Sequence, residues 1–281
     1  MIARAGRQPA RSERERTNAA RKSRALAARL ELRAALPSFV RAPSSEPELL
    51  ARAAALAGRT VAELAALVGA PAPPRDQRRA KGLVGRLLEH ALGAHAGSAP
   101  VPDFTALGIE LKTIPLDRSG RPLESTFVCT VPLERMAELE WDGSPVQRKL
   151  QRVLWIPLES GRDLELGARR IGVATLWSPS RGEDALLRAD FELLAIALGR
   201  GESERLSART GRYLQVRPKG ANRDSRVRGA DEHGAPLLLA PRGFYLRTSF
   251  TARLFVGYGD GAGDSAGDSA EQARAAGTRP D

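Results

Sequence analysis

Three ionisable residues in the stretch DFTALGIELKTIP have the types and the spacing of a hydrolytic centre. Six residues separate Asp103 from Glu110, and one residue separates Glu110 from Lys112. If the second half of this stretch is a β-strand, Glu110 and Lys112 share one face, because alternate side chains of a strand point the same way. A turn at the glycine-containing segment 106–108 would bring Asp103 back beside Glu110. Two carboxylates and an ammonium would then face one pocket.

Two carboxylates in one pocket suit Mg²⁺, a hard cation that proteins hold through one or two carboxylates, waters and substrate phosphate. Such an ion lowers the pKa of a bound water and shields the charge that develops on the phosphate. Lys112 would orient that water, help to deprotonate it, or stabilise the transition state. The spacing alone has a second interpretation, since an ordinary salt bridge on a strand face also accounts for Glu110 and Lys112.

A further acid, Glu89, lies in the predicted helix KGLVGRLLEHALGAHAG. At 100° per residue the apolar side chains of this helix fall on one side, and Glu89 falls on the other, beside Gly82, Gly85 and Gly93. A face of glycines lets another chain or element approach closely. Glu89 is therefore either a functional acid at such a contact or an ordinary surface residue.

The elements around these residues mix helices and strands, which predicts an α/β fold with a mixed sheet. The capped segments SSEPELLARAAALAG and TVAEL predict two short helices before the helix that carries Glu89. In RYLQVRPKG the side chains alternate, so Gln215, Arg217 and Lys219 share one strand face. Further strands are predicted at 125–133, 152–159 and 173–178, and further helices at about 183–199 and 202–210.

The chain of 281 residues is strongly basic, with a net charge of +11. Residues 1–35 contain ten Lys and Arg against three Glu, whereas residues 257–281 contain five acids against two Arg. The middle of the chain is therefore basic as well. Such a balance is typical of a protein that binds a polyanion, because Lys and Arg contacts to phosphates release counterions. An arginine-rich surface without a nucleic-acid partner is the alternative.

The composition excludes several other classes of protein. The single cysteine, Cys129, permits no internal disulfide, and the three histidines show no zinc-ligand spacing. No apolar run reaches the ~18–20 residues of a membrane span, and the N-terminus lacks the apolar segment of a secretory signal. We therefore expect a cytoplasmic protein with no membrane partner.

Composition also divides the chain into three parts. We expect residues 1–43 to form a basic, disordered arm and residues 44–256 to form the folded domain. Residues 257–281 repeat GDSA and contain almost no apolar residues. We expect them to form a disordered tail.

Pro102 before Asp103 completes the arrangement PD…ExK, which resembles the signature of restriction-endonuclease-like nucleases. Longer runs between about Pro47 and Phe250 resemble, in the same order, the MutH family of methyl-directed mismatch-repair endonucleases. They include TVAELAALVG, KGLVGRLLEHALGAHAGSAP, DFTALGIELKTIP, GRPLESTFVC, KLQRVLWIP, RYLQVRPK and PRGFYL. The resemblance implies a restriction-endonuclease-like mixed β-sheet flanked by helices, with two subdomain arms around a DNA-binding cleft.

The resemblance also implies roles for individual residues. Asp103, Glu110 and Lys112 resemble the family's catalytic triad. Glu89 resembles a further acid of that centre, and the three acids are expected to hold Mg²⁺. Lys149 resembles a basic residue near the active site. The DNA contacts that the resemblance implies are Lys81, Phe127, Arg217, Lys219 and Tyr245.

Two of these residues have the chemistry of base readers. The guanidinium of Arg217 can bind guanine O6 and N7 in a bidentate pair, which a GATC site offers. Tyr245 would present its ring to the adenine that methylation alters. From the residues alone, core packing is the alternative for Tyr245 and Phe127.

The activity that the resemblance implies is Mg²⁺-dependent nicking of the unmethylated strand at hemimethylated GATC, after activation by MutL and with MutS acting upstream. We expect a monomer, because one centre makes one nick. A restriction endonuclease that cuts both strands at GATC and a catalytically silent DNA-binding module stay open as alternatives. The chain departs from the family in its basic arm and after Phe250, where TARLFVGYGDG soon reaches glycine. That departure puts the surface that receives MutL in question.

Overall fold

The structure is a computed structural model that describes most of the chain between residues 41 and 256. Nearly all of the predicted arm, the whole predicted tail and Lys81 lie outside the described residues. The described ranges are 41–75, 80, 82–97, 99–161, 163–202, 205–207, 209–220, 225–230 and 235–256.

Helices and strands are interspersed along the described residues, as the sequence predicts. The helices are α1 (Glu46–Leu56), α2 (Val61–Leu67), α3 (Leu83–Leu92), α4 (Pro145–Leu150), α5 (Arg181–Gly199) and α6 (Thr248–Thr251). The strands are β1 (Glu110–Leu116), β2 (Thr126–Thr130), β3 (Val153–Glu159), β4 (Thr175–Trp177), β5 (Leu214–Pro218), β6 (Val227–Ala230), β7 (Pro236–Leu239) and β8 (Arg242–Leu246).

The first two helices begin at the caps that the sequence predicts. The Ser45 hydroxyl accepts a hydrogen bond from the Glu48 N–H at the start of α1. Thr60 and Glu63 form a reciprocal capping box at the start of α2. These side chains satisfy backbone N–H groups that have no partner within the first helical turn. Local sequence therefore determines where both helices start.

The central sheet has the order β1–β3–β4, with β1 parallel to β3 and β4 antiparallel to β3. In this register Glu110 lies opposite Val153, and Lys112 lies opposite Trp155. Partners in a parallel pair lie on the same face of the sheet. The face that carries Glu110 and Lys112 therefore also carries Val153 and Trp155.

Two hydrophobic cores cover the two faces of this sheet. The N-terminal core packs α1, α2 and α3 against the face of Leu111 and Leu154. The C-terminal core packs the remaining elements against the face of Ile114 and Val153. Odd-numbered Leu111 and even-numbered Ile114 of β1 thus enter different cores, which confirms the predicted strand alternation. This mixed sheet with helices is consistent with the restriction-endonuclease-like fold that the resemblance implies.

A second, antiparallel sheet has the order β2–β8–β5, and β6 pairs with β7 in a separate hairpin. Leu214 and Val216 face the C-terminal core, whereas Arg217 on the same strand is exposed. Gln215 is buried. The predicted alternation of β5 is therefore confirmed, and its polar face is the outer face of this sheet.

The helix predicted at about 202–210 is not found in the described residues of that segment. The chain instead turns there, with the Arg205 N–H bonded to the Glu202 carbonyl and the Thr210 N–H to the Ser207 carbonyl. Buried Asp190 on α5 then accepts hydrogen bonds from three successive backbone N–H groups at 212–214. This tertiary contact leads the chain directly into β5. Among the described residues, no helix is long and apolar enough to cross a membrane.

Candidate active site and DNA-facing surface

Asp103 folds back beside the first residues of β1. Phe104 and Ile109 form an antiparallel bridge, and a short 3₁₀ turn at Thr105–Leu107 connects them. Gly108 closes this turn with φ of 65°, in the left-handed region that glycine adopts most readily. The Asp103 carboxylate accepts a hydrogen bond of 2.8 Å from the Leu111 N–H. The local turn therefore fixes the carboxylate against the strand that carries Glu110.

Glu110 is held between two lysines that come from different parts of the chain. It is 2% exposed. Its Oε1 lies 2.6 Å from Lys112 Nζ, and its Oε2 lies 2.8 Å from Lys149 Nζ. Lys149 also donates a hydrogen bond of 2.7 Å to the Val101 carbonyl. The residues expected from the triad and from α4 thus meet around the buried carboxylate of Glu110. After the role expected of them, we call five residues the catalytic cluster: Glu89, Asp103, Glu110, Lys112 and Lys149.

Lys149 reaches this cluster because the Ser144 cap fixes the start of α4. The buried Ser144 hydroxyl caps α4 by accepting a hydrogen bond from the Gln147 N–H. Val146 and Leu150 of α4 pack into the C-terminal core. With those two side chains buried, Lys149 lies on a different part of the helix surface and points to Glu110.

Like charges and burial shift the proton affinity of two acids in the cluster. Burial, reinforced by the Glu110 carboxylate, raises the pKa of Asp103 to about 6. Burial also raises the pKa of Glu89, an effect that Arg86 opposes and Glu110 strengthens. The electrostatic influence of Glu110 on Glu89 places α3 beside the cluster. Excess negative charge is therefore concentrated at one edge of the central sheet.

The donor chemistry of Asp103 and Glu110 fits a divalent cation of the Mg²⁺ type. Both supply hard carboxylate oxygens, and two such groups meet the protein share that Mg²⁺ requires. The raised pKa of Asp103 reflects burial first and repulsion by Glu110 second, and a cation would relieve that repulsion. Within the described part of the chain, no three His, Cys, Asp or Glu side chains are grouped closely enough to hold an ion. A two-carboxylate site fits this arrangement, and Glu89 as a third ligand stays a prediction.

The glycine face of α3 borders an open cavity of about 620 Å³. Gly82 and Gly85 line it from the helix, and Thr113 and Glu124 line it from the opposite side. A Cβ at Gly85 would lie 4.0 Å from Glu89 Oε1, so this face has no bulky side chain at that point. Glu89 is not among the residues that line the cavity, and the space beside Gly93 is filled by the Arg41 carbonyl, so the approach of another chain to Glu89 stays a prediction.

Four predicted DNA contacts assemble on the outer face of the second sheet. Phe127 on β2 pairs with Tyr245 on β8, and their rings make an edge-to-face contact with centroids 5.3 Å apart. Lys219 Nζ lies 3.1 Å from the Phe127 ring centroid. Arg217 Cζ lies 5.8 Å from the Tyr245 ring centroid. We call these four residues the aromatic–cation cluster.

Sequence reasoning gave no role to Gly243, the residue on β8 that this cluster requires. A Cβ there would lie 3.0 Å from Phe127, 3.1 Å from Tyr245 and 3.3 Å from Lys219. Glycine within a strand commonly marks a close approach of this kind, so the PRGFYL motif contained a usable signal. Ser125 was also missed: its hydroxyl accepts a hydrogen bond of 2.6 Å from Arg217, and no local pattern indicates it.

Both clusters act electrostatically on Cys129 of β2. Burial raises the pKa of the Cys129 thiol to about 12. Lys112 and Lys149 from the catalytic cluster and Lys219 from the aromatic–cation cluster all oppose that shift electrostatically. The Cys129 thiol therefore interacts electrostatically with lysines of both clusters. The raised pKa keeps Cys129 protonated near neutral pH and disfavours a nucleophilic role.

The strand that carries the acids belongs to a mixed sheet, and this sheet lies between helices and a second sheet. This arrangement is that of a restriction-endonuclease-like α/β fold. A family model described as "DNA mismatch repair enzyme MutH" matches residues 92–190.

Curated relatives extend this similarity to most of the chain. The DNA mismatch repair protein MutH of Klebsiella pneumoniae (strain 342) is 53% identical over 212 residues, which are 75% of this chain and 91% of the relative. The protein of the same name from Escherichia coli (strain K12) is 50% identical over 212 residues, covering 75% and 92%. That of Salmonella paratyphi B is 50% identical over 220 residues, covering 78% and 95%. The chain therefore belongs to the MutH family of DNA mismatch repair endonucleases.

Proposed function

We propose that this protein nicks the unmethylated strand of DNA at hemimethylated GATC sites by Mg²⁺-dependent hydrolysis of one phosphodiester bond. The observation that carries the proposal is the pairing of Lys112 and Lys149 with buried Glu110, while the Asp103 carboxylate is held against the same strand. The membership of the MutH family supports it, as does the aromatic–cation cluster on the neighbouring sheet.

Asp103 and Glu110 hold the metal ion in this proposal, with Glu89 as a further acid. When bound, Mg²⁺ activates a water and shields the phosphate charge. Lys112 orients the attacking water through its ammonium, which lies beside the carboxylate of Glu110, or takes the proton of that water as the neutral amine. Lys149 stabilises the charge on the reacting phosphate. Both lysines have only 13% of their side-chain surface exposed, which strengthens their electrostatic effect.

The outer face of the second sheet reads the DNA. Arg217 donates two hydrogen bonds to guanine O6 and N7. Tyr245 contacts the adenine whose methylation protects a strand. Lys219 binds a backbone phosphate, and Phe127 packs against the sugar–base edge. Lys81, outside the described residues, is proposed as another DNA contact on the basis of the family resemblance.

MutL is the proposed activator, with MutS upstream, and the protein is proposed to act as a monomer in the cytoplasm. One catalytic cluster supplies one set of groups for hydrolysis, so a monomer cuts one strand at a time. The chain after Phe250 continues as a 3₁₀ turn at Ala252–Phe255, the last element of the described residues. MutL activation should therefore be measured directly.

A plasmid with one GATC site, prepared unmethylated, hemimethylated and fully methylated, tests this function. We expect Mg²⁺-dependent conversion of the hemimethylated plasmid to open circles, faster with MutL, and no cutting of the fully methylated form. Rapid linearisation of the unmethylated plasmid would instead support a restriction endonuclease. GATC binding without cutting in any condition would support a silent DNA-binding module.

The variant Asp103→Ala should abolish nicking and leave GATC binding nearly intact. Asp163→Ala is its control, because Asp163 is exposed and lies in the loop after β3. Unchanged nicking by Asp103→Ala would falsify the assignment of the active site.

A further inference from the structure

Arg217 crosses the outer face of the second sheet and ends at Ser125. Its backbone lies opposite Gly243 on β8. The Phe127, Tyr245 and Lys219 side chains fill the space above Gly243, so the Arg217 side chain crosses the sheet beside the Tyr245 ring. Its Cζ lies 5.8 Å from the Tyr245 ring centroid, and its Nη1 donates a hydrogen bond of 2.6 Å to the Ser125 hydroxyl. The arginine therefore extends from one edge strand of the sheet to the other.

Both cations of the aromatic–cation cluster are bonded to hydroxyls that flank β2. Ser125 immediately precedes this strand and binds Arg217, while Thr130 ends the strand and lies 3.2 Å from Lys219 Nζ. Within the described residues, the Ser125 hydroxyl is the one hydrogen-bond partner of the Arg217 guanidinium. A guanidinium has five N–H donors, so this bond leaves others for a ligand.

An anchored guanidinium is a better reader of a base than a mobile one. Bidentate recognition requires the plane of the fork to be held at a defined angle to the base edge. An exposed arginine otherwise loses rotamer freedom when it binds, which weakens association. The Ser125 hydroxyl on one side and the Tyr245 ring on the other restrict the Arg217 side chain before DNA arrives.

We propose that Ser125 is a positioning residue for base recognition, whose hydroxyl holds Arg217 in the orientation that reads guanine. This inference rests on the proposed function, in which Arg217 is the guanine reader. The ligand chemistry is the O6 and N7 edge of guanine in double-stranded DNA. Ser125 itself needs no contact with the nucleic acid.

Nicking assays on two short duplexes test this role. They compare the wild-type protein with Ser125→Ala and Ser125→Thr. One duplex contains GATC, and the other has 7-deazaguanine in place of the guanine. For Ser125→Ala we expect kcat/KM on GATC to fall roughly three- to tenfold, the effect of losing one typical exposed hydrogen bond. The loss should lie in KM, with kcat at saturating DNA unchanged, and the preference for guanine should fall by a similar factor.

Two comparisons separate positioning from a general structural effect. Ser125→Thr retains the hydroxyl and should behave as wild type. Ser178→Ala is a matched control, because Ser178 also holds an arginine, Arg152, by a hydrogen bond of 3.0 Å, at another place in the fold. It should leave both rate and preference unchanged. In a double-mutant cycle, Ser125→Ala should have no further effect once Arg217 is replaced by Ala.

The results distinguish failure of this inference from failure of the proposed function. An unchanged guanine preference in Ser125→Ala, or an equal loss on both duplexes, overturns the positioning role. A defect in Ser125→Thr as large as that of Ser125→Ala also overturns it. A wild-type protein that nicks neither duplex in the presence of Mg²⁺ and MutL counts against the proposed function instead.

Discussion

The catalytic cluster and the aromatic–cation cluster use positive charge in opposite ways. In the catalytic cluster Lys112 and Lys149 are mostly buried and form ion pairs with the same carboxylate, Glu110. In the aromatic–cation cluster Arg217 and Lys219 are exposed and contact aromatic rings and hydroxyls. A buried charge needs a paired opposite charge, whereas an exposed cation can stay available for phosphate or a base. In the proposed function, the first region performs the chemistry and the second performs the recognition.

The strongest test of this contrast is Glu110→Gln. Removing the charge should reduce nicking by about 10³-fold or more, since a buried electrostatic group of the active site is lost. It also leaves two mostly buried ammonium groups without their partner, so the melting temperature should fall. Binding of a GATC duplex should change only a few-fold. Nicking rates, thermal melts and binding titrations measure the three effects.

Glu138→Gln provides the control for that experiment. Glu138 is exposed, and its partner within the described part of the chain is Arg135 on the surface. Neither nicking nor melting temperature should change. Equal losses in the two variants would mean that burial of Glu110 has no special role.

Arg217→Ala addresses the recognition region. We expect the preference for GATC over sites with one changed base pair to fall by roughly ten- to a hundredfold, the value of a bidentate contact to guanine. The rate constant at saturating DNA should stay close to that of wild type, because the catalytic cluster is untouched. Competition binding with altered duplexes measures the preference. Arg205→Ala, which removes an exposed arginine bonded to Glu202, should show no such effect.

The pH dependence of the unfolding free energy tests the electrostatic part of this comparison. The folded pKa of Asp103 is about 6, against an ordinary value of 3.8. Its stabilising contribution is therefore fully present below about pH 4 and is lost as the pH rises through 6. Relative to Asp103→Asn, the metal-free protein should lose up to about 3 kcal/mol of unfolding free energy between these values. Urea titrations of both proteins from pH 4 to pH 7 measure this effect. A difference between their unfolding free energies that stayed constant over this range would contradict the prediction.

Gly243→Ala should have the smallest effect of the four. The added methyl group would press on Phe127, Tyr245 and Lys219 at 3.0–3.3 Å, so these side chains must shift. We expect DNA affinity to fall roughly two- to fivefold, about the value of one exposed cation–π contact, with kcat unchanged. Gly182→Ala is the control, because a Cβ there would meet nothing within 4 Å. Filter binding or fluorescence anisotropy resolves a difference of this size.

Much of the fold could be predicted because it depends on local chemistry. The caps at Ser45 and Thr60, the alternation of β1 and the polar face of β5 all appear in the structure as the sequence predicts. The helix predicted at about 202–210 was wrong in its described residues. Buried Asp190, which is distant in sequence, binds the backbone N–H groups at 212–214 and directs this segment into β5. Helix propensity alone contains no information about that contact.

For the candidate site, the sequence by itself determined one part of the geometry and indicated a chemistry that stays a prediction. The residue types of Asp103, Glu110 and Lys112, with the strand alternation, indicated a metal-dependent hydrolytic centre because side chains two apart on a strand must share a face. The turn before β1 follows from the glycine at 108. These are interactions between residues near in sequence, which local rules describe.

The tertiary structure alone decided which distant residues join that centre and how the DNA-facing surface is organised. Lys149 reaches Glu110 only because α4 packs into the C-terminal core, and Ser125 reaches Arg217 only because β2, β8 and β5 form one sheet. The partners in these pairs are 39 and 92 positions apart in the chain. Such contacts depend on the packing of whole elements, so no local pattern in the sequence could specify them.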